Sequence, residues 1–185
     1  IPLRLVGSEM CIRDSSYARA FGSFIVQHPA VPSLSRGAAA TEGELATRLG
    51  LPSVPAAAEA MQVARDIALA RLTGGHVHFA HLSTAAALEL VREAKAEGLR
   101  VTCDTAPPYF DLNETAIGDY RTYAKLEPPL RPESDREAVV AALADGTVDA
   151  IASDHQPRDA DDKRLPFAQA EACLLYTSPS PRDVE

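Results

Sequence analysis

Three side chains that can bind a metal or move a proton lie where predicted strands end. His28 closes the apolar run "FGSFIVQH", His81 lies near the end of "HVHFAHL", and Asp154 follows "VDAIAS". Asp104 lies close to another such end, in "LRVTCDTA". Imidazole nitrogens and carboxylate oxygens serve both divalent metals and proton transfer. If these strands are parallel neighbours, their carboxyl ends meet at one rim, and the side chains predict a hydrolytic site there.

The elements that must position these residues alternate between strand and helix. Helical periodicity and stop signals predict helices over "TEGELATRLG", "PAAAEAMQVARDIALARLTGG", "STAAALELVREAKAEG" and "PESDREAVVAALADG". On the second of these, Met61, Ala64, Ile67 and Ala68 are expected to share the buried face. The alternation predicts parallel βα units, and chemistry at strand ends is typical of a β/α barrel. Only four or five units are visible in the sequence and a barrel needs eight, so we expect an α/β fold that is part of a barrel.

Other polar residues of these strands have simpler interpretations. His76 and His78 share one face of their predicted strand and are interpreted as packing or surface residues. His155 is interpreted as a group that orients Asp154. Cys103 lies in a strand of buried type and is expected to be an inert apolar residue.

The two ends of the chain resemble translated sequencing adapter. The head "LVGSEMCIRDS" (Leu5 to Ser15) and the tail "CLLYTSPSPRD" (Cys173 to Asp183) can be encoded by opposite strands of one DNA element. The ends of a natural protein have no reason to share such an element, and its sequence resembles the adapter of transposase-based libraries. We therefore predict that residues 1–15 and 173–185 are not native, and that residues 16–172 form the partial barrel.

Composition and charge exclude several classes of protein. The net charge of −8 argues against binding to nucleic acid or to anionic membranes. No apolar run approaches the roughly 20 residues that a membrane-spanning helix needs. Within residues 16–172 the only cysteine is Cys103, so no disulfide can form there and a cytoplasmic location is expected.

Longer motifs, taken in order, give the sequence a family resemblance. "HFAHLST", "CDTAPPYF", "PPLR", "DGTVDAIASDH" and "RLPFAQAE" follow one another at the spacing of βα units. Together they resemble the dihydroorotases of the amidohydrolase superfamily. The resemblance implies a TIM-type (β/α)₈ metal-dependent hydrolase barrel, of which about the fourth to eighth strands are present. It also implies zinc at the rim, with His81 as a metal ligand and Asp154 as both metal ligand and catalytic proton carrier.

Several positions depart from the family pattern. Val31 stands where the metal-bridging aspartate is expected, and Pro108 stands where a ligand histidine is expected. Neither side chain has a lone pair to give a metal, and the family's HxH pair on the first barrel strand is expected to precede this sequence. Glu127 replaces an asparagine before "PPLR", and Arg158 replaces a histidine. Zinc needs about four donors, so we expect at most one zinc ion, unless Asp104 or Glu127 substitutes.

Three functions remain open at this point. The first is hydrolysis of a cyclic amide in pyrimidine biosynthesis, between dihydroorotate and N-carbamoyl-aspartate, with the fragment itself inactive. The second, which Val31 and Pro108 favour, is a non-catalytic dihydroorotase-like subunit that scaffolds aspartate transcarbamoylase. The third is an allantoinase or hydantoinase type of hydrolase, because "CDTAPPYF" also aligns with their motif. The first and third predict a small-molecule substrate.

Overall fold

The computed structural model describes residues 4–7, 12–156, 158 and 161–172. Strands and helices alternate along this part of the chain, as the sequence predicts. The strands are β1 (Arg4–Gly7), β2 (Phe24–Gln27), β3 (Ala40–Thr41), β4 (Ser53–Val54), β5 (Val77–Phe79), β6 (Val101–Thr105) and β7 (Ala150–Ile151). The α-helices are α1 (Ile12–Ala20), α2 (Pro32–Ser35), α3 (Glu44–Leu49), α4 (Ala57–Thr73), α5 (Ala85–Ala96), α6 (Pro107–Asp111) and α7 (Glu133–Ala144). Short 3₁₀ helices lie at Glu114–Ile117, Thr122–Ala124 and Asp161–Lys163.

The main sheet is parallel and its strands lie in chain order, β1-β2-β5-β6-β7. Strand order that follows the chain is that of a barrel arc, whereas a doubly wound sheet reverses its order partway. The predicted α/β class and partial barrel are therefore confirmed. Strands β3 and β4 form a separate two-stranded parallel sheet.

The first strand and the start of α1 lie within residues 1–15. Arg4–Gly7 pairs with Phe24–Gln27, and Ser15 is buried with its hydroxyl 2.6 Å from that of Thr73. Gly75 allows this approach, because a Cβ there would lie 2.2 Å from Ser15 Oγ. Pairing and packing carry no information about the origin of these residues, so the adapter assignment stays a prediction. Resequencing the source DNA from an adapter-free library tests it, and an unchanged head would overturn it. The tail, 173–185, lies outside the described residues.

The helices cover one face of the sheet. Helix α5 shows why: Thr84 caps it by accepting from the Ala87 N–H, and Leu88, Val91 and Ala94 repeat at helical spacing and are buried. These residues join a core with alternate strand residues such as Val77 and Cys103. The other residues of the strands must then face the opposite side, which in a barrel is the interior.

The predicted buried face of α4 is right for Ile67 and wrong for the other three residues. Met61 is 57% exposed and Ala64 and Ala68 are also exposed, whereas Val63 and Ile67 are buried against the sheet. Small apolar residues surround this helix on nearly all sides, so the larger Val63 and Ile67 determine its orientation. In α7 the sequence pattern likewise predicts that Val139, Val140 and Leu143 face inward, but Val140 is 43% exposed, whereas Val139 is fully buried.

Within the described part of the chain, no helix is both long enough and apolar enough to cross a bilayer.

Candidate metal centre

His81 lies just beyond β5, and its backbone has a left-handed conformation with φ 60°. Its backbone N–H donates to Asp104 Oδ1 at 2.7 Å, a bond that holds the chain in this unfavourable turn. Its ring is 21% exposed, and Nε2 lies 3.5 Å from Asp154 Oδ1. His81 thus faces the end of β7 across the end of β6.

Asp154 follows the last strand and also has a left-handed backbone, with φ 46°. Its side chain is 13% exposed and accepts a hydrogen bond from Gln156 Nε2 at 2.7 Å. Only one other non-glycine residue in the described ranges, Tyr120, has positive φ. Strained backbone of this kind clusters at functional sites. His81 and Asp154, which the sequence singles out, therefore both have the unusual backbone conformation that is typical of functional residues.

The separation of these two side chains suits one metal ion. A zinc ion at about 2.0–2.2 Å from a nitrogen and an oxygen in tetrahedral geometry holds them about 3.4 Å apart. The distance between His81 Nε2 and Asp154 Oδ1 is 3.5 Å. An imidazole and a carboxylate are both accepted zinc donors, so the pair fits half of one site. Among the described residues no group of three or more potential ligands forms a complete site.

The electrostatics at His81 are dominated by two carboxylates. Burial disfavours the charged ring, but Asp104 and Asp154 outweigh it, so the pKa of His81 is raised. Burial likewise acts against ionised Asp104, yet its contacts with His78 and His81 hold the pKa of Asp104 well below its usual range. A cation or a proton between these groups is therefore stabilised.

His28 lies at the end of β2 on the same rim. Its ring centroid is 6.0 Å from that of His81, and burial, followed by the charge of His81, lowers the pKa of His28. A cleft opens beside it, and Val31 and Glu127 contribute to its wall. Glu127 is exposed and Val31 is half-buried. The structure thus places His28 near the pair without bringing it into contact with Asp154.

Val31 and Pro108, which stand where metal ligands are expected, offer no donor atom at the rim. Val31 borders the cleft through an apolar side chain. Pro108 is buried in the first turn of α6, next to Tyr109, whose hydroxyl donates to the Pro128 carbonyl at 3.0 Å. Burial raises the pKa of Tyr109, so its phenol stays protonated and keeps this bond. Arg158 is exposed and pairs with Glu171 at 4.0 Å.

A buried ion pair, missed from the sequence, fixes the loop that follows His81. Glu59 accepts from the backbone N–H groups of Ser83 and Thr84, both at 3.0 Å, and from both of their hydroxyls. Arg131 of the "PPLR" motif donates to Glu59 at 3.3 Å, to Ser83 and to Thr41. Glu59 is 2% exposed and Arg131 is 5% exposed. This network therefore connects α4, the His81 loop, β3 and the segment before α7.

The hydrogen bonds behind His81 were also missed, although the sequence singles out Asp104. Asp104 Oδ2 lies 2.9 Å from His78 Nε2, and His78 Nδ1 lies 2.9 Å from Thr102 Oγ1. His76 and His78 do pack against Phe24, as expected of packing residues, but they also form hydrogen bonds along the sheet. One signal in the sequence could have indicated this network. His76 and His78 are two residues apart on one strand, and Thr102 and Asp104 are two residues apart on the next, so each pair shares a face of its strand. The register that pairs them cannot be deduced from either strand alone.

Sequence comparison and fold comparison give consistent results. Residues 7–87 match the family described as Dihydro-orotase-like. A dihydroorotase of Desulforapulum autotrophicum is 46% identical over 158 residues, which are 85% of this chain and 37% of the relative. A dihydroorotase of Desulfotalea psychrophila is 45% identical over 90% of this chain and 39% of its own length. The chain thus spans about two fifths of the curated relatives that it matches.

Solved structures with the same fold are more distant in sequence. The L-hydantoinase of Arthrobacter aurescens has a TM-score of 0.78 at 21% identity, over 95% of this chain and 44% of its own. The dihydropyrimidinase of Brevibacillus agri has a TM-score of 0.77 at 22% identity, over 92% and 41%. These likenesses define the class of fold, a partial TIM-type barrel. The sequence relatives show that the chain belongs to the dihydroorotase family of the amidohydrolase superfamily, whose members depend on metal.

Proposed function

We propose that the complete protein is a zinc-dependent dihydroorotase that interconverts dihydroorotate and N-carbamoyl-aspartate in pyrimidine biosynthesis. Family membership supports this reaction. The single observation that carries it is the 3.5 Å approach of His81 Nε2 to Asp154 Oδ1 at the rim. The proposal extends beyond the described part of the chain, because about three fifths of each relative lies outside the match. A cytoplasmic location is part of the proposal, because Cys103 is the only cysteine of residues 16–172 and no disulfide can form there.

His81 and Asp154 are the proposed metal ligands of this chain. The chemistry that zinc supplies when bound is polarisation of the amide carbonyl and a lowered pKa of water. His81 would bind through Nε2, the nitrogen that faces Asp154. Further donors would be needed to complete a site of about four ligands.

Asp154 is the proposed catalytic base and acid. Its carboxylate accepts the proton of the attacking water and returns it to the ring nitrogen as the amide C–N bond breaks. In the reverse direction the same carboxylate takes the proton from the carbamoyl nitrogen that closes the ring and gives it to the hydroxyl group, which leaves the carboxyl carbon as water. The partly exposed position of Asp154, 13% accessible, allows contact with both substrate and solvent.

A substrate panel tests this function. Purified complete protein with added zinc should hydrolyse dihydroorotate and cyclise N-carbamoyl-aspartate, with weaker turnover of hydantoin and allantoin. Faster turnover of hydantoin or allantoin would instead support a related cyclic-amide hydrolase. Absence of turnover with all of these substrates would overturn the enzymatic proposal.

The second candidate is a non-catalytic subunit that binds aspartate transcarbamoylase. The observation that favours it is the absence of donors at Val31 and Pro108 although the surrounding βα units are formed. Size-exclusion chromatography of the complete protein with aspartate transcarbamoylase discriminates between the two. Co-elution together with absent turnover supports the scaffold, whereas turnover of dihydroorotate by the isolated protein refutes it.

A further inference from the structure

Four polar side chains form a hydrogen-bonded ladder on the face of β5 and β6 that lies opposite the helices. We call His76, Thr102, His78 and Asp104 the polar ladder. Thr102 Oγ1 lies 3.3 Å from His76 Nε2 and 2.9 Å from His78 Nδ1, and His78 Nε2 lies 2.9 Å from Asp104 Oδ2. The ladder leads along the sheet to its rim, where Asp104 contacts His81.

The chemistry of Asp104 fixes the direction of these hydrogen bonds. An ionised carboxylate only accepts, so His78 Nε2 must carry a hydrogen and donate it to Asp104. With a neutral ring, His78 Nδ1 then accepts from the Thr102 hydroxyl, and the Thr102 oxygen accepts from His76 Nε2. The three hydrogen bonds of the polar ladder can therefore all form at once, and the last of them holds Asp104 Oδ2 in place.

The second oxygen of Asp104 faces His81. Oδ1 accepts from the His81 backbone N–H at 2.7 Å and lies 3.0 Å from His81 Nδ1. Nδ1 is buried and makes no well-aligned hydrogen bond in this arrangement. A carboxylate this close to Nδ1 favours the form of the ring with its hydrogen there, which leaves the Nε2 lone pair directed at Asp154. The Asp104 side chain cannot turn away without breaking the bonds of His78 and of the His81 backbone.

We propose that Asp104, held by His78, is a positioning residue that sets the tautomer and ring orientation of His81. The proposal rests on the proposed function in that His81 is taken as a metal ligand through Nε2. In this arrangement Asp104, itself held by His78, determines which nitrogen of His81 carries the hydrogen and which one presents a lone pair to the metal. The ladder is thus more than a cross-link between two strands.

Asp149 provides a matched control. Like Asp104, it accepts a hydrogen bond from a backbone N–H, here that of Cys103 in β6 at 2.8 Å. It also binds a basic side chain, Lys95, at 2.7 Å. It has no contact with an imidazole among these bonds. Asp149→Asn therefore removes a comparable cross-link without touching His81, and Asp104→Asn removes the carboxylate beside it.

The first measurement uses zinc-free complete protein. At alkaline pH, where the His81 ring is neutral, its ring ¹⁵N chemical shifts should report mainly the Nδ1–H form in the unaltered protein and in Asp149→Asn. In Asp104→Asn the Nε2–H form should increase. An unchanged His81 tautomer in Asp104→Asn would overturn the proposal. This readout needs neither zinc nor turnover, so it separates failure of the positioning role from failure of the proposed enzyme activity.

The second measurement is zinc affinity by competition with a chromophoric chelator. Loss of an outer group of this type weakens metal binding about 10–100-fold, so the Kd for Zn²⁺ should rise by that factor in Asp104→Asn. His78→Leu should also weaken binding, whereas His78→Gln should restore it to within about twofold, because an amide nitrogen can still donate to Asp104. Equal zinc affinity in Asp104→Asn and Asp149→Asn would show that the ladder is only structural. A protein without zinc affinity in any form would overturn the ligand role of His81.

Discussion

Replacing Glu59 by glutamine should destabilise the complete protein by about 3–5 kcal/mol, the usual cost of leaving one member of a buried ion pair without its partner. The Glu59 side chain is 1% exposed and that of Arg131 is 5% exposed, so neither group can be rescued by water. In the glutamine variant the amide oxygen can replace Oε1, which accepts from the Ser83 and Thr84 N–H groups and the Thr84 hydroxyl. The amide NH₂ must replace Oε2, which now accepts from Ser83 Oγ and Arg131 Nη2. The amide NH₂ then faces the Ser83 hydroxyl and the Arg131 guanidinium, which both donate at present, and the charge of Arg131 stays buried without a counter-charge.

Urea unfolding followed by circular dichroism measures this change, with Glu89→Gln as the matched control. Glu89 also pairs with an arginine, Arg92, but their side chains are 58% and 40% exposed. Exposed pairs contribute about 1 kcal/mol or less, so the control should unfold almost as the parent does. Adding Arg131→Met to Glu59→Gln should recover part of the stability, because it removes the unpaired charge. A loss below about 1 kcal/mol in Glu59→Gln, equal to that of the control, would refute the reasoning.

Four further outcomes are expected. Asp154→Ala should lower kcat on dihydroorotate at least about 10²-fold, as measured by ring-opening absorbance, and unchanged turnover would remove Asp154 from the mechanism. The complete protein, dialysed and analysed by mass spectrometry, should hold at most about one zinc per chain, and two firmly bound ions would mean that the inference from Val31 and Pro108 is wrong. Combining Val31→Asp with Pro108→His should raise that number, while no increase would show that these positions do not face a second ion. The 185-residue chain alone should unfold without a sharp transition in calorimetry, because the open edges of its parallel sheet lack partners, and a two-state melt would contradict this.

The approach of His81 to Asp154 was predictable because it needs only a topological rule. Parallel strands in chain order present their carboxyl ends on one rim, so residues that follow β5 and β7 face each other without any knowledge of side-chain geometry. The orientation of α4 was not predictable in this way. Alanine occupies so much of its surface that apolar periodicity could not discriminate the side with Met61 from the side with Val63.

The polar networks could not be deduced for a different reason. Glu59 and Arg131 are 72 positions apart, and each is of a residue type that usually lies at the solvent-exposed surface. Their pairing depends on how the "PPLR" segment returns to the start of α4, where Glu59 lies. The contact of His78 with Asp104 depends on strand register, which pairs His78 with Thr102 and thereby places Asp104 within reach. Long-range pairing of this kind is a property of the assembled sheet.

The positive φ angles at His81 and Asp154 restrict what evolution or design can place at these positions. A left-handed backbone costs most residues about 1–2 kcal/mol, and β-branched side chains fit it worst, whereas asparagine, aspartate, histidine and glycine tolerate it. Exchange of either residue for valine, isoleucine or threonine therefore incurs a conformational penalty in addition to the loss of a donor atom. A mutant library aimed at new chemistry on this rim is best limited at both positions to Asn, Asp, His and Gly.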